Sequence, residues 1–233
     1  MLRKLWCGLL FPLAALALPG GHSHNDYEQE RPFELAARSG MASIEADVFP
    51  VDGHLLVAHS RHQLDPVRSL QKLYLEPLQR WGKAVELLVD IKSEPDQALD
   101  LLEQELQSTP PPKQTVIVLS GSRPKRSPRM SCISLEGTIS ELRAGTLPAN
   151  CRYVSGPWWS ESGWKGEGSL PSAARARLEE LVKQAHARGL VLRLWSAPDT
   201  TEAWDEFYRA GVDRINTDHP KELADWLKQK ESR

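Results

Sequence analysis

Short apolar runs typical of β-strands alternate with helical patterns along most of this chain, and this alternation is the strongest constraint on its fold. In chain order the runs read ASIEADV, HLLVAH, VELLVDIK, TVIVLSG, SCISLE, RYVSGP, LVLRLWS and DRINTD. Strands that alternate with helices form βα units, in which consecutive strands lie parallel in one sheet. We therefore expect an α/β protein built on a parallel sheet.

The number of strands favours a closed barrel. Asp52-Gly53, between the first two runs, is a typical hairpin turn, so HLLVAH is expected to fold back as an antiparallel extension. With that hairpin as one unit, and the segment before Asn25 as another short strand, the chain provides eight parallel strands. The sequence therefore predicts a (β/α)8 TIM barrel, and 233 residues with 40% hydrophobic content suffice for one such domain.

Helices are predicted between the strands from apolar spacing and from end signals. Gly40, Gly189 and Gly211 follow three helical patterns and mark their ends. Pro95 and Pro220 lie in the first turns of two others. Each predicted helix except the closing one precedes another strand-like run, which favours a closed barrel over an open sheet.

Two stretches of the sequence are loop-like. SGSRPKRSPRMS is basic and rich in Pro and Ser, which is typical of a solvated surface, although such a loop could also meet an anionic headgroup. GPWWSESGWKGEGS is rich in Gly and Ser and carries Trp158, Trp159 and Trp164. These aromatic side chains either line an apolar substrate wall or cap the barrel.

Residues 1–17 have the pattern of a secretory signal peptide. Arg3 and Lys4 precede an apolar run from Leu5 to Leu16, and a small-x-small cleavage site ends at Ala17. The apolar run is too short for a comfortable membrane span. An uncleaved anchor and a buried first helix are the alternatives.

The mature chain, residues 18–233, is expected to be one monomeric domain that is secreted or faces the periplasm or cell envelope. A net charge of -2 and a pI near 6.4 give no basic field, so nucleic acid is not indicated as a partner, and no stable membrane span is expected. Cys7 would leave with the leader. Cys132 and Cys151 either form a disulfide in an oxidising compartment or remain separate thiols.

Acidic residues recur at the ends of the predicted strands, which in a barrel face one shared mouth. Glu45 and Asp47 lie two apart on one strand and so point to the same side, while Asp90 ends the next parallel strand. Three converging carboxylates predict a site for a hard divalent cation, Mg²⁺ or Ca²⁺. The alternative for the first two is a half-exposed strand face. Lys92 shares the face of Asp90 and either holds a substrate phosphate or forms a structural ion pair.

His24 and His59 are predicted to act as an acid/base pair. Cleavage of a phosphodiester needs a base to activate the nucleophile and an acid to protonate the departing oxygen, and imidazoles titrate in the useful range. Each histidine alone would more often be structural, but both lie near the acid cluster in sequence. His22, His54 and His62 are weaker candidates because their neighbours suggest turns and exposed loops.

These motifs resemble the phosphatidylinositol-specific phospholipase C-like phosphodiesterase superfamily. The resemblance rests on HSHNDY, IEADVFPVDGHLLVAHS, LLVDIK, LWSAPD and INTDHP, and it covers nearly all of the mature chain. Within the superfamily the chain is most similar to the glycerophosphodiester phosphodiesterase-like branch that includes the altered inheritance of mitochondria proteins. The resemblance implies a TIM barrel and a divalent cation.

The resemblance also implies roles for individual residues. His24 and His59 match the catalytic histidines, Glu45, Asp47 and Asp90 the metal ligands, and Asn25, Lys92 and Trp195 substrate-binding positions. Asp90 stands where glycerophosphodiesterases usually carry glutamate, and its D-x-K form with Lys92 is similar to the sphingomyelinase D branch. Asn25-Asp26 follows the first histidine where glycerophosphodiesterases have Arg-Gly, which implies that the arginine's phosphate contact is absent or moved, with Asn25 as a partial replacement.

The sequence thus predicts a metal-dependent phosphoric diester hydrolase with a small-molecule or lipid-derived substrate. Glycerophosphodiesters and lipid headgroup diesters are the expected substrate classes. Two alternatives remain open at this point. One is a metal-dependent barrel that acts on sugars or carboxylates, and the other is a non-catalytic barrel that binds a metal and a ligand.

Overall fold

The computed structural model describes residues 19–232, and its centre is a closed sheet. The strands are β1 Gly20–Ser23, β2 Ser43–Val51, β3 His54–Val57, β4 Glu86–Ile91, β5 Val116–Gly121, β6 Ile133–Thr138, β7 Cys151–Pro157, β8 Val191–Trp195 and β9 Arg214–Thr217. Eight of them pair in parallel in the order β1-β9-β8-β7-β6-β5-β4-β2, and β1 also pairs with β2, which closes the barrel. β3 is antiparallel to β2. The predicted (β/α)8 TIM barrel and its hairpin extension are confirmed.

Helices surround the barrel and connect most of its strands. They are α1 Glu34–Ser39, α2 Glu76–Trp81, α3 Pro95–Ser108, α4 Ile139–Ala144, α5 Trp158–Ser162, α6 Ser172–His186, α7 Thr201–Ala210 and α8 Pro220–Glu231. A π-helical turn, Gln71–Leu75, leads into α2, and short 3-10 turns cover Asp26–Glu28 and Arg61–Gln63. None of the helices in the described range is long and apolar enough to cross a membrane.

Two hydrophobic clusters pack the helices onto the outer face of the barrel. Ile44 and Val89 from the strands meet Leu99 from α3 in the first cluster. Leu192 from β8 meets Leu178 and other apolar side chains from α6 and α7 in the second. Full burial of each such side chain stabilises the fold by about 2 kcal/mol relative to exposure. This packing fixes the positions of the strands, and hence of the polar residues that point inward.

Residues two apart on a strand share one side, and this period places polar layers inside the barrel. On β4, Glu86 lies at the amino-terminal end, Leu88 at mid-height and Asp90 at the carboxyl end. Leu88 packs with Val118 and Tyr153 in a small internal apolar cluster. This cluster separates the polar groups at the two ends of the barrel.

The stretch that contains the tryptophans differs from the sequence prediction. Five residues of this loop-like segment form α5, because Trp158 is completely buried and packs edge-on against Phe207 with ring centroids 5.6 Å apart. Trp164 is also buried, whereas Trp159 is 44% exposed. Two of the three side chains therefore contribute to the core. The basic stretch between β5 and β6 is a loop, as predicted.

Two further predictions concern the leader and the cysteines. The expected signal peptide, residues 1–17, lies outside the described residues. Cys132 and Cys151 are free, half-buried thiols, and burial raises the pKa of Cys151 to about 11. Of the two possibilities left open by the sequence, the structure shows separate thiols.

Candidate metal and phosphodiester site

The three predicted metal ligands meet at the carboxyl end of the barrel. Glu45 and Asp47 point inward from β2, and Asp90 lies beside Asp47 in the parallel register of β2 and β4. One carboxylate oxygen from each of these three residues lies within 4.8 Å of the other two. Glu45 and Asp47 are buried, and Asp90 is partly buried. The strand period therefore brings together three oxygen donors of the kind that a hard divalent cation prefers.

Lys92 lies between two of these acids. Its Nζ is 2.8 Å from Oδ2 of Asp47 and 2.9 Å from Oδ1 of Asp90. Ser120 donates a hydrogen bond of 3.0 Å to the other oxygen of Asp90. Oδ1 of Asp47 is buried without a hydrogen-bond partner among the described residues. A buried carboxylate oxygen without a partner is costly, and this atom is free to bind a cation.

A buried ionic layer lies directly beneath the triad. Nη1 of Arg193 is 3.2 Å from Oε2 of Glu45, and the other terminal nitrogen is 3.4 Å from Glu136. His22 Nε2 is 2.9 Å from the same Oε2 of Glu45, while its Nδ1 is 2.9 Å from the Ser43 hydroxyl. Arg193 and His22 thus hold one oxygen of Glu45.

Charge and burial set the protonation states of this layer. Burial, together with the charge of Arg193, lowers the pKa of His22 to about 4, so its imidazole is neutral at neutral pH. Burial alone would raise the pKa of Glu45, but Arg193 and His22 more than offset it and hold that pKa well below its ordinary value. Glu45 is therefore an ionised carboxylate inside the barrel.

The site as a whole has an excess of negative charge. In the part of the chain that the structure describes, the four carboxylates of Glu45, Asp47, Asp90 and Glu136 are linked, directly or through Ser120, to two Lys or Arg cations, Lys92 and Arg193. When all six groups are ionised, two negative charges remain. Burial and the neighbouring Glu45 accordingly raise the pKa of Asp47. One divalent cation would balance this charge, so the residues present fit such an ion.

Asn25 reaches the triad through Tyr27, and His59 contacts the triad directly. The Tyr27 hydroxyl donates to Oδ2 of Asp47 at 2.7 Å and lies 2.9 Å from Oδ1 of Asn25. His59 Nδ1 is 3.2 Å from the same oxygen of Asp47. Asn25 has a left-handed backbone with φ of 44°, a conformation that asparagine tolerates better than most residues. The turn after β1 therefore directs Asn25 and Tyr27 toward the acids.

His24 occupies another side of the mouth, and its partner is Asp218 rather than the triad. Its Nδ1 is 2.7 Å from Oδ1 of Asp218, which follows β9. Burial alone would lower the pKa of His24, but the hydrogen bond and the charge of Asp218, with Glu45 nearby, raise it above its ordinary value. The two histidines thus approach the mouth from β1 and from the end of the hairpin, each held at Nδ1 by an aspartate.

Gly121 permits the close approach of β5 to Asp90. A Cβ at this position would lie 2.7 Å from Oδ1 of Asp90 and 2.6 Å from the carbonyl oxygen of Ile91. Its φ of 71° is also in the left-handed region, where glycine is favoured. The glycine therefore leaves space for the third acid of the triad.

The structure brings together most of the predicted site residues. Glu45, Asp47, Asp90, Lys92, His59 and Asn25 form one network of contacts. His24 is held separately by Asp218, and Trp195 is 40% exposed at the end of β8. Sequence reasoning missed the contributions of four residues at this end of the barrel: His22, Tyr27, Glu136 and Arg193. For two of them the signal was the two-residue period of the strands, which places His22 on the same side as His24 and Arg193 on the same side as Trp195.

Comparisons with known proteins agree with this geometry. A model described as the AIM6-like phosphodiesterase domain matches residues 16–82, which include both candidate histidines, Glu45 and Asp47. A model of the glycerophosphoryl diester phosphodiesterase family matches residues 191–221, which include Arg193 and Asp218. The two matched segments form adjoining parts of the closed barrel.

Individual relatives are similar to this chain in sequence, and solved phosphodiesterase structures are similar to it in fold. The chain is 27% identical to altered inheritance of mitochondria protein 6 from Eremothecium gossypii, over 84% of this chain and 66% of that protein. It is 25% identical to the homologue from Arthroderma benhamiae, over 84% and 80% of the two chains. In fold it is similar to a glycerophosphodiester phosphodiesterase from Parabacteroides distasonis, with a TM-score of 0.64, 18% identity, and coverage of 92% and 98%.

A second solved structure, an Oleispira antarctica phosphodiesterase in complex with the product sn-glycerol-3-phosphate, has a TM-score of 0.51 and 16% identity, with coverage of 91% and 97%. The chain therefore shares its fold with these phosphodiesterases. In sequence it is similar to altered inheritance of mitochondria protein 6 and its homologues, and two of its segments match phosphodiesterase family models.

Proposed function

We propose that this protein is a metal-dependent phosphoric diester hydrolase whose cation, Mg²⁺ or Ca²⁺, is held by Glu45, Asp47 and Asp90. The observation that carries the proposal is the uncompensated negative charge of the triad, together with the unpartnered Oδ1 of Asp47. An excess of buried charge destabilises a fold unless a bound ligand of opposite charge balances it. A bound divalent cation would supply the positive charge that offsets the phosphate and its developing negative charge.

The two histidines would carry the protons. The nucleophile, either water or a neighbouring hydroxyl of the substrate, loses its proton to one imidazole as its oxygen bonds to phosphorus. The other imidazole gives a proton to the departing oxygen as its bond to phosphorus breaks. Asp218 holds His24, and Asp47 holds His59, so each ring is oriented through Nδ1. Nε2 of each ring is the atom that would exchange the proton.

Three further residues would bind the substrate. Lys92 is protonated between two acids and can contact a phosphate oxygen with the donor positions that these acids leave open. The side-chain amide of Asn25 can donate to the same phosphate through Nδ2, since it is Oδ1 that faces the Tyr27 hydroxyl, 2.9 Å away. Trp195, exposed at the end of β8, would cover an apolar part of the substrate.

The finer parts of the proposal concern the substrate and the location. We propose a glycerophosphodiester or another lipid-derived headgroup diester as the substrate. We also propose that residues 1–17 are a cleaved leader and that residues 18–233 act as a monomer outside the cytoplasm or in the cell envelope.

The test is the release of p-nitrophenol from bis(p-nitrophenyl) phosphate with Mg²⁺, Ca²⁺ or EDTA. Turnover should require metal and fall by about 100- to 10,000-fold in His24→Ala and His59→Ala, because each removes a proton carrier. Both variants should keep the increase in thermal stability on metal addition. His62→Ala is the control, because His62 is exposed and bonds only to Ser60.

Two results would contradict the proposal. Metal-induced stabilisation without turnover of any diester would favour a non-catalytic binding barrel. Turnover that persists in EDTA, or in both histidine variants, would exclude the proposed mechanism.

A further inference from the structure

A polar pocket adjoins His59 and Tyr27, the two side chains that contact Asp47 of the triad. Its volume is about 270 Å³, and Tyr27 and His59 form its wall toward the metal site. Gln29, Gln63, Glu28 and Arg68 supply most of its other polar groups. A phosphodiester has a group on each side of its phosphorus, so a pocket that begins at a candidate catalytic histidine is placed to receive one of these groups.

Arg68 is held rigidly at this pocket. Its Nη2 donates to the carbonyl oxygen of Tyr27 at 2.5 Å. Its own backbone N–H donates to Asp65 at 2.9 Å, and its carbonyl accepts from Val57 at 2.8 Å. The guanidinium is therefore ordered by neighbouring backbone before a ligand arrives, which reduces the entropy lost on binding.

The charge of Arg68 is not neutralised by the protein. Within residues 19–232 no carboxylate oxygen approaches its guanidinium to 4.0 Å. Many other arginines of this chain, such as Arg61 with Glu94 and Arg143 with Glu161, do have an acidic partner at that distance. A guanidinium with free donors in a pocket is suited to a carboxylate or a phosphate, which it can bind through two hydrogen bonds.

Glu28 brings an opposite charge to the same pocket. It lies in the 3-10 turn after β1, is exposed, and has no cationic partner within 4.0 Å in the described part of the chain. It also does not pair with Arg68. The pocket thus holds one cation and one anion whose charges are both available to a ligand.

We propose that this pocket is the headgroup subsite of the enzyme and that it selects a zwitterionic headgroup. Arg68 binds the headgroup's carboxylate, Glu28 binds its ammonium, and the two glutamines bind the remaining polar atoms. The proposal rests on the phosphodiesterase function proposed above and adds a substrate class to it: diesters in which the group beside His59 resembles an amino acid, such as serine.

Three diesters with the same glycerol moiety test this assignment: sn-glycero-3-phosphoserine, -phosphoethanolamine and -phosphoglycerol. Arg68→Gln should lower kcat/KM for the serine diester by about 10- to 100-fold, the usual effect of losing a charge-assisted hydrogen bond, and leave the other two substrates nearly unchanged. Glu28→Gln should lower kcat/KM for the serine and ethanolamine diesters and leave kcat/KM for the glycerol diester nearly unchanged. Arg80→Gln, on the exposed face of α2, is the matched control.

The same variants separate this inference from the proposed function. If bis(p-nitrophenyl) phosphate is hydrolysed but Arg68→Gln affects all three headgroups equally, Arg68 only anchors the Tyr27 turn and the subsite is wrong. If no diester is hydrolysed, the proposed function fails, and calorimetric binding of sn-glycero-3-phosphoserine becomes the measurement. Binding that Arg68→Gln weakens and Arg68→Lys partly restores would support the subsite, whereas equal binding by wild type and Arg68→Gln would overturn it.

Discussion

At the amino-terminal end of the barrel one partly buried acid has several partners, whereas at the carboxyl-terminal end several acids share few cationic partners. Glu86 lies 2.5 Å from Arg214 and 2.9 Å from Arg152, and it also accepts a hydrogen bond from the Tyr153 hydroxyl. Burial alone would raise the pKa of Glu86, but Arg214 and the other donors lower it. At the opposite end, four carboxylates are linked to two cations, and one oxygen of Asp47 has no partner within residues 19–232.

This difference distinguishes a structural ionic cluster from a ligand site in the same barrel. The lower cluster satisfies its acid completely, so it stabilises the closure of the sheet and needs no further ion. The upper cluster has satisfied only part of its charge, which costs stability in the free protein. A positively charged ligand that binds there offsets this loss of stability. Similar residue types in the same barrel therefore serve different purposes because their partners differ.

The largest expected effect is the loss of metal-dependent turnover when Glu45, at the carboxyl end, is neutralised. Neutralising Glu86, at the opposite end, is the comparison. Glu45→Gln should reduce metal-dependent turnover by about 1,000-fold, because several kcal/mol of charge stabilisation depend on the bound cation. It should also abolish the rise in Tm on metal addition, which for wild type corresponds to about 2.7 kcal/mol at a metal concentration of 100 times the Kd.

Glu86→Gln is the control for this measurement. It should lower stability in urea unfolding, because Arg214 and Arg152 would then face each other without their acid. Its metal-induced rise in Tm should equal that of wild type. An equal loss of metal response in both variants would remove the distinction between the two ends.

Arg193→Met should have the next largest effect, and it acts on stability. It leaves the buried Glu45 and the partly buried Glu136 without their cation, which should cost about 3–5 kcal/mol in EDTA. Because the site then carries more negative charge, added Mg²⁺ or Ca²⁺ should recover a larger part of the stability than in wild type. Denaturant unfolding with and without metal measures both quantities.

Arg214→Met removes the corresponding cation at the lower end. We expect a similar loss of stability in EDTA but no increase in the metal response. If metal stabilises the two arginine variants equally, the buried Arg193 is not coupled to the metal site.

Asp218→Asn should shift the pH dependence of kcat/KM. The carboxylate raises the pKa of His24, so its removal lets burial lower that pKa. The limb of the pH profile of kcat/KM that His24 controls should therefore move to lower pH, by about one unit if about 1.4 kcal/mol of interaction is lost. Movement of the alkaline limb would identify His24 as the acid, and movement of the acidic limb would identify it as the base.

The matched variant is Asp213→Asn, which removes the partner of His186 at the other end of the barrel, 2.9 Å away. It should change stability and leave both limbs of the pH profile in place. A profile that Asp218→Asn does not move would show that His24 does not control the rate.

The smallest expected effect comes from a pair of glycines with nearly the same backbone. Gly121 has φ of 71° and Gly145 has φ of 72°. Alanine at either position should cost about 1–2 kcal/mol because of the left-handed conformation, and Gly121→Ala should cost more because its Cβ would also lie 2.6 Å from the carbonyl oxygen of Ile91. Only Gly121→Ala places a Cβ against Asp90, so only this variant should also weaken metal binding in a calorimetric titration. Equal metal affinity in the two variants would show that β5 does not constrain the third acid.

Much of the site could be predicted from sequence because strands impose a simple rule. Glu45 and Asp47 are two apart, and Asp90 ends the next parallel strand, so their convergence follows once the barrel is predicted. The same rule applies to His22 and His24, but His22 was judged by its turn-like neighbours. The structure instead places it in β1, completely buried and bonded to Ser43 and Glu45.

The remaining residues could not be predicted because their partners are distant in sequence. Arg193 contacts Glu45 across 148 positions, and His24 contacts Asp218 across 194. Periodicity shows which side of a strand a residue occupies, but it does not show which side chain stands opposite. The helix α5 was missed for a related reason, since its stability depends on burying Trp158 against Phe207 of α7.

The amino-acid sequence by itself determined the class of fold, the hairpin on β2 and the identity of the three acids, because these depend on local periodicity and on turn and end signals. Only the tertiary structure decided that these acids exceed their cations, that Arg193 and His22 support Glu45, and that Arg68 and Glu28 share a pocket beside His59. These properties depend on the closure of the barrel, which brings β1, β2, β8 and β9 together and determines which charges are paired.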